Sequence, residues 1–207
     1  MFVRESVAIG MAVLLAGSAA VAQTTAKRRA PTEYTGVTTN LTPGSGSTLS
    51  IRILNWSPDD DRKRVLGVLG TAGTGDKAPQ DLAKQLADVQ SVGQIWSDGA
   101  IGYSLKYAHR ESLPDGGERI VVVTDRPLGW LDRPGPWKAQ GQDAQVYPFT
   151  IVELHLNKAG KGEGKMSLAA TFTTNPNDQT VSLETYASAP VMLKNVERKP
   201  KPYWAAE

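Results

Sequence analysis

A run of four β-branched residues, Ile120-Val121-Val122-Val123, bounded by Gly117 and Pro127, constrains this chain more than any other feature. Branching at Cβ crowds a helix and suits a pleated strand. The run is apolar on both faces, so it predicts a central strand covered on both sides. Upstream the pattern alternates. Tyr103, Leu105, Tyr107 and His109 share one face, and Ser104, Lys106, Ala108 and Arg110 share the other. Asp115-Gly116-Gly117 lies between the two runs and is turn chemistry, because hairpin turns need φ > 0. The stretch Ile101–Asp125 therefore predicts a long hairpin. A two-residue turn at Asp115-Gly116 pairs Lys106 with Asp125, Tyr107 with Thr124 and His109 with Val122. A slip of one residue sets Lys106 against Arg126, like charge facing like charge. The predicted register gathers Tyr103, Leu105, Tyr107 and His109 with Ile120 and Val122 on one face, the expected wall of any ligand cavity.

The rest of the chain reads outward from this hairpin. A first strand is expected near Tyr34–Leu41, and a second over Thr48–Trp56, with Leu49, Ile51 and Ile53 on one face. Ser57-Pro58-Asp59-Asp60 is a helix start, with Ser57 as cap and acidic residues at the positive end of the helix dipole. A second helix is expected at about Pro79–Val89. Short strands follow at Gly93–Trp96, Tyr147–Leu156, Lys165–Thr173, Gln179–Ala187 and Val191–Val196. The order is early strands, two helices, then an antiparallel meander. It predicts an α+β domain: a curved antiparallel sheet of about six to eight strands with a two-helix insertion after an early strand. The arrangement echoes helix-grip folds without their long C-terminal helix.

Met1–Ala22 carries Arg4, an apolar run Val7–Leu15 and Ala20-Val21-Ala22 before Gln23. That is the pattern of a cleaved secretory signal, and it predicts a periplasmic or secreted protein with no membrane span in the mature chain. Residues 23–32 are polar and aperiodic and are expected to be disordered. Residues 33–196 form the expected single domain, and 197–207 an extended tail with Pro200 and Pro202. The chain of 207 residues holds no cysteine, which excludes disulfides and thiol chemistry. Its net charge is +2, and the charges are dispersed. No basic face with interleaved aromatics is present, so a nucleic-acid partner is not expected.

The runs IGYSLKYAH, LPDGGERIVVVTDRPLGW and YPFTIVELHLN, followed by GEGKMSL, resemble a family of uncharacterised exported bacterial proteins. The resemblance spans about Thr48 to Val196. It implies export and a single domain, and it carries over no functional residue.

Catalytic signals are sparse. The two histidines, His109 and His155, with Glu153 offer a two-His, one-carboxylate set for a metal-dependent enzyme. No Gly-x-Ser-x-Gly elbow is present. Gly160-Lys161-Gly162-Glu163-Gly164 is glycine-rich, but a strand rather than a helix follows it, so it reads as a turn and not as a phosphate cradle. The segment Arg126–Gln145 is the best functional signal. It has no strand or helix period, and it holds Trp130 and Trp137 beside Arg126 and Arg133. Long aperiodic segments in small domains are often functional, and Trp with Arg is contact-surface composition. The expectation is a non-catalytic exported binding domain for a small ligand or an envelope component. No cofactor is expected. Its contact residues would be Trp130, Trp137, Arg126, Arg133, Tyr103, Tyr107 and His109. A structural or protein-interaction role is a further alternative.

Overall fold

The computed structural model describes residues 31–42, 46–72, 78–97, 102–129, 138–139, 149–167, 171–175, 180–185 and 190–200. Among these are strands β1 (Thr32–Thr38), β2 (Leu41–Thr42), β3 (Thr48–Ile53), β4 (Gly93–Ser97), β5 (Tyr103–Ser112) and β6 (Glu118–Thr124). They continue with β7 (Lys138–Ala139), β8 (Ile151–Leu156), β9 (Lys161–Ser167), β10 (Thr171–Asn175), β11 (Thr180–Thr185) and β12 (Val191–Arg198). Helices α1 (Asp59–Ala72) and α2 (Ala78–Ala87) lie between β3 and β4.

Eight strands close into an antiparallel barrel in the order β1-β12-β9-β8-β6-β5-β4-β3. Each barrel strand pairs with the next barrel strand along the chain, and β1 closes the ring by pairing with both β3 and β12. The open, curved α+β sheet expected from the sequence is therefore wrong. The individual strands were readable from their alternation, but closure was not. Closure depends on β1 serving two neighbours, which a period-two pattern does not encode. Strand β10 pairs only with β11, and β2 only with β7, so these four stand outside the barrel. The stretch Lys165–Thr173, expected as one strand, is the end of β9 and the start of β10.

Glycines and bulges supply the curvature. A Cβ on Gly162 would lie 1.9 Å from the His155 carbonyl oxygen, so β8 and β9 approach there more closely than any side chain permits. Bulges interrupt β5 between Leu105 and Tyr107 and β12 between Leu193 and Val196, where Asn195 takes φ +52°. Such bulges bend a strand and sharpen its twist. The glycine-rich run 160–164, expected as a turn, is mostly strand β9; its turn is Asn157–Gly160.

Inward-facing side chains fill the barrel. Tyr34, Leu49, Ile51, Ile53, Ile95, Tyr103, Leu105, Ile120, Val122, Val152, Leu154, Met166, Leu193 and their neighbours form one buried cluster. Burying each large aliphatic side chain contributes roughly 1.5–3 kcal/mol. The outward residues of β9, β12, β1, β3 and β4 are largely polar: Glu163, Lys165, Lys194, Thr35, Ser50, Arg52 and Gln94. That is the reverse of a lipid-facing barrel. No helix among the described residues is long and apolar enough to cross a membrane.

One stretch of outer wall is covered. Val65 of α1, Leu86 of α2, Tyr107, Val123, Phe149 and Ile151 form a second buried cluster outside the barrel. Strand β6 is thus apolar on both faces because one faces the barrel interior and the other this cluster. Ser57 does not act as a helix cap. Its hydroxyl accepts the Ala108 N–H at 3.0 Å, and its own N–H donates to the Ala108 carbonyl at 2.8 Å, tying the start of α1 to the bulged strand.

The central hairpin is present with a different register. Leu113 N–H donates to Gly117 O, Gly116 N–H donates to Leu113 O, and Gly116 has φ +79°. The loop is therefore the three residues Pro114-Asp115-Gly116, not two. Tyr107 pairs with Val123 and His109 with Val121, one residue away from the expected pairing. The bulge after Leu105 then reverses the facing of the remainder. Tyr103, Leu105 and Ala108 join the barrel core, while Tyr107 joins the outer cluster. The expected common face of Tyr103, Leu105, Tyr107 and His109 does not exist.

Candidate functional site

Among the described residues, buried polar side chains gather in three places. The first is the end of the barrel where β6 stops and β8 starts. Thr124 and Thr150 are fully buried there. Thr150 N–H donates to the Thr124 hydroxyl at 2.7 Å, and Thr124 N–H donates to Thr150 O at 2.9 Å. Leu128 N–H donates to the Thr150 hydroxyl at 3.1 Å, and Leu128 is itself fully buried in the barrel cluster. Gly129 N–H donates to the Tyr103 hydroxyl at 2.8 Å. Both stems of the segment joining β6 to β8 are thereby clamped to the barrel. Buried hydroxyls satisfy backbone groups that would otherwise be left unpaired away from water. Arg126 sits on this stem, exposed, with its guanidinium paired to Asp125 at 3.0 Å. That hydrogen bond and the Asp125 charge raise its pKa further.

The second place is the outer wall of β5, β6, β8 and β9. Glu153 is buried, and burial alone would push its pKa up. His155 Nε2 and Arg119 Nε each lie 2.7 Å from its Oε1, and Lys165 Nζ lies 3.5 Å from its Oε2. Those hydrogen bonds and charges prevail and hold the carboxyl at about 2. Arg119 also reaches Glu111 at 3.6 Å. A carboxylate held this low is a poor proton acceptor near neutral pH. His109 shares the rung of Glu153, but Val121 of β6 stands between them. Two strand spacings amount to about 9.6 Å, beyond shared coordination. Among the described residues, no group of three or more His, Asp or Glu side chains is placed to hold a metal ion.

The third place is the opposite barrel end, where the two short turns lie. Glu118 faces inward at the rim. Arg198 Nη1 reaches its Oε1 at 3.0 Å, and Arg110 Nη1 lies 3.8 Å from its Oε2. The Arg110 guanidinium stacks over the Trp56 ring, 5.1 Å from its centroid. Tyr34 is fully buried in the barrel, and its hydroxyl makes no hydrogen bond. Burial, followed by the Glu118 charge, raises its pKa and keeps the phenol protonated. An unpaired buried hydroxyl costs about 1–3 kcal/mol.

The seven expected contact residues are thus distributed. Arg126 is exposed on the clamped stem, and Tyr103 is a buried anchor for that stem. Tyr107 lies beneath the helices, and His109 is partly buried on the outer wall, where burial and then Arg62 lower its pKa. Trp130, Arg133 and Trp137 lie outside the described residues, as do Met1–Ala22. Sequence reasoning passed over Tyr34 and Arg198. The signal available was a charged pair, Glu118-Arg119, opening an otherwise apolar strand. The chain matches no protein-family model, and no curated protein or solved structure is significantly similar to it.

Proposed function

We propose that this chain is an exported, non-catalytic binding domain that takes a small ligand or an envelope component at the barrel end carrying the Arg126–Gln145 segment. The carrying observation is the clamp formed by Thr124, Thr150, Leu128 and the Tyr103–Gly129 hydrogen bond, which fixes both stems of that segment. Binding residues work best on loops set by a rigid scaffold, and a side-chain-filled closed barrel is such a scaffold. The filled interior favours contact at the barrel end over an enclosed pocket. Arg126 stands at the stem, and Arg133, Trp130 and Trp137 follow in sequence. Export rests on the Met1–Ala22 pattern, with periplasm or medium as the destination.

Two measurements test this reading. N-terminal sequencing of protein recovered from the periplasm or medium should begin at Gln23; retention of residues 1–22 in the cytoplasm defeats the export half. Saturation-transfer NMR against a small-molecule library and an envelope extract should give binders that a Trp130→Ala, Trp137→Ala double variant loses without a change in urea midpoint. Binders that survive the double variant defeat the loop-end half. A loss of about 3 kcal/mol or more of stability per substitution would instead mark the tryptophans as core.

A further inference from the structure

The end of the barrel with the short turns has a feature that folding alone does not explain. The rim brings together one carboxylate, Glu118, and two guanidinium groups, Arg110 and Arg198. Their sum is one positive charge. Both arginine side chains are about two-fifths exposed, at 42% and 39%, while Glu118 is 11% exposed. The positive groups therefore face solvent, and the carboxylate lies beneath them. Deeper still, the Tyr34 hydroxyl is a protonated donor with nothing to receive its hydrogen. Native structures rarely leave such a group unmatched without a reason.

Arg198 is held in place from several directions. Its backbone N–H donates to Gly160 O at 2.8 Å, and a Cβ on Gly160 would meet the Arg198 side chain at 3.2 Å. Its partner across the pair of strands is Tyr34 itself. Arg110 is held against Trp56. The two cations are thus set in position, while Glu118 is joined to Arg110 only across 3.8 Å. A guanidinium presents a planar fork of donors that suits an oxyanion in two-point contact.

We propose that this rim is a binding site for a small oxyanion, a carboxylate or phosphate group, which displaces Glu118 from Arg198 and Arg110 and accepts the hydrogen bond of the Tyr34 hydroxyl. The site lies at the opposite end of the barrel from the Thr124–Thr150 clamp and stands independently of the binding role assigned there. Glu118 acts as the resident competitor: it keeps the arginines paired while the site is empty of ligand and makes the site selective for anions that also reach Tyr34.

Inorganic phosphate and acetate, each titrated against chloride at constant ionic strength, test this in the full mature chain by 1H–15N NMR. The expected result is saturable shifts at the Tyr34, Glu118 and Arg198 amides with one or both oxyanions and none with chloride; which oxyanion saturates identifies the group recognised. Tyr34→Phe removes only the unpaired hydroxyl, so it should fold at least as stably as the parent. It should bind the oxyanion at least tenfold more weakly, as should Arg198→Met. Absence of saturable shifts in the parent chain overturns the proposal, and so does a Tyr34→Phe variant that binds as tightly as the parent.

Discussion

Arg119 and Glu153 grip one another across neighbouring strands of the outer wall, Nε to Oε1 at 2.7 Å, with side chains only 11% and 4% exposed. The pair lies beside the apolar cluster under the helices, so water screens it poorly. Buried ion pairs add little net stability over an apolar pair of similar volume, but breaking one from a single side is costly. Glu153→Leu leaves the Arg119 charge with Glu111 at 3.6 Å and should cost about 3–5 kcal/mol. The double variant Arg119→Met, Glu153→Leu should recover most of that loss. Urea denaturation of the three proteins measures it; a double variant no more stable than Glu153→Leu alone would contradict the account.

Acid should act on the same carboxylate. The folded pKa of Glu153 is about 2, below its ordinary value of 4.5. A depressed carboxyl contributes stability that is present above 4.5 and is lost as pH falls through the folded value. The loss should run from about pH 4.5 to 2 and total on the order of 3 kcal/mol. Glu153→Gln should flatten the stability profile in that window. Its measured slope should equal that of the parent only if the carboxylate is not held by Arg119 and His155.

Much of this architecture is readable in the residues, and the failures have physical causes. The alternation in Leu49-Ser50-Ile51-Arg52-Ile53 and in Val152-Glu153-Leu154-His155-Leu156 states which faces turn inward, and those assignments hold. The hairpin register fails by one residue because Pro114-Asp115-Gly116 supports a three-residue loop as well as Asp115-Gly116 supports a two-residue one. The bulge at Leu105–Tyr107 has no local signal; beside it, Ala108 bonds Ser57, which lies 51 residues away along the chain. Barrel closure is likewise a long-range event, with Tyr34 meeting Arg198 at the far end of the chain. Tyr34 is unremarkable in sequence and becomes a neighbour of Arg198 only once that ring has closed.

His109 should make the protein less stable in mild acid. Burial and the nearby Arg62 charge lower its pKa below 6.5. A histidine depressed in the folded state leaves stability complete above 6.5. That stability is lost as pH falls through 6.5 toward the folded value, because the unfolded chain takes up the proton first. His109→Gln keeps a polar side chain and removes the titration. The variant should lose less stability than the parent between pH 7.5 and 5.5, read as urea midpoints at each pH. Equal losses would place the histidine's proton affinity at its ordinary value.

Gly162 and Gly46 separate two reasons for glycine. At Gly162 a Cβ would collide with the His155 carbonyl oxygen at 1.9 Å, and that oxygen is backbone and cannot rotate away. At Gly46, φ is +87° and nothing lies within 4 Å of the Cβ position, so the only penalty is conformational. A side chain in the left-handed region costs about 1–2 kcal/mol. Forcing two paired strands apart in a filled core should reach or exceed the roughly 3 kcal/mol at the upper end of overpacking costs. Gly162→Ala should therefore destabilise the barrel by clearly more than Gly46→Ala. Amide exchange should localise the damage to the β8–β9 ladder around Leu154, His155 and Gly164. Comparable losses in the two variants, or fast exchange spread evenly around the ring, would mean that the close approach of β8 and β9 does not set the curvature that closes the barrel.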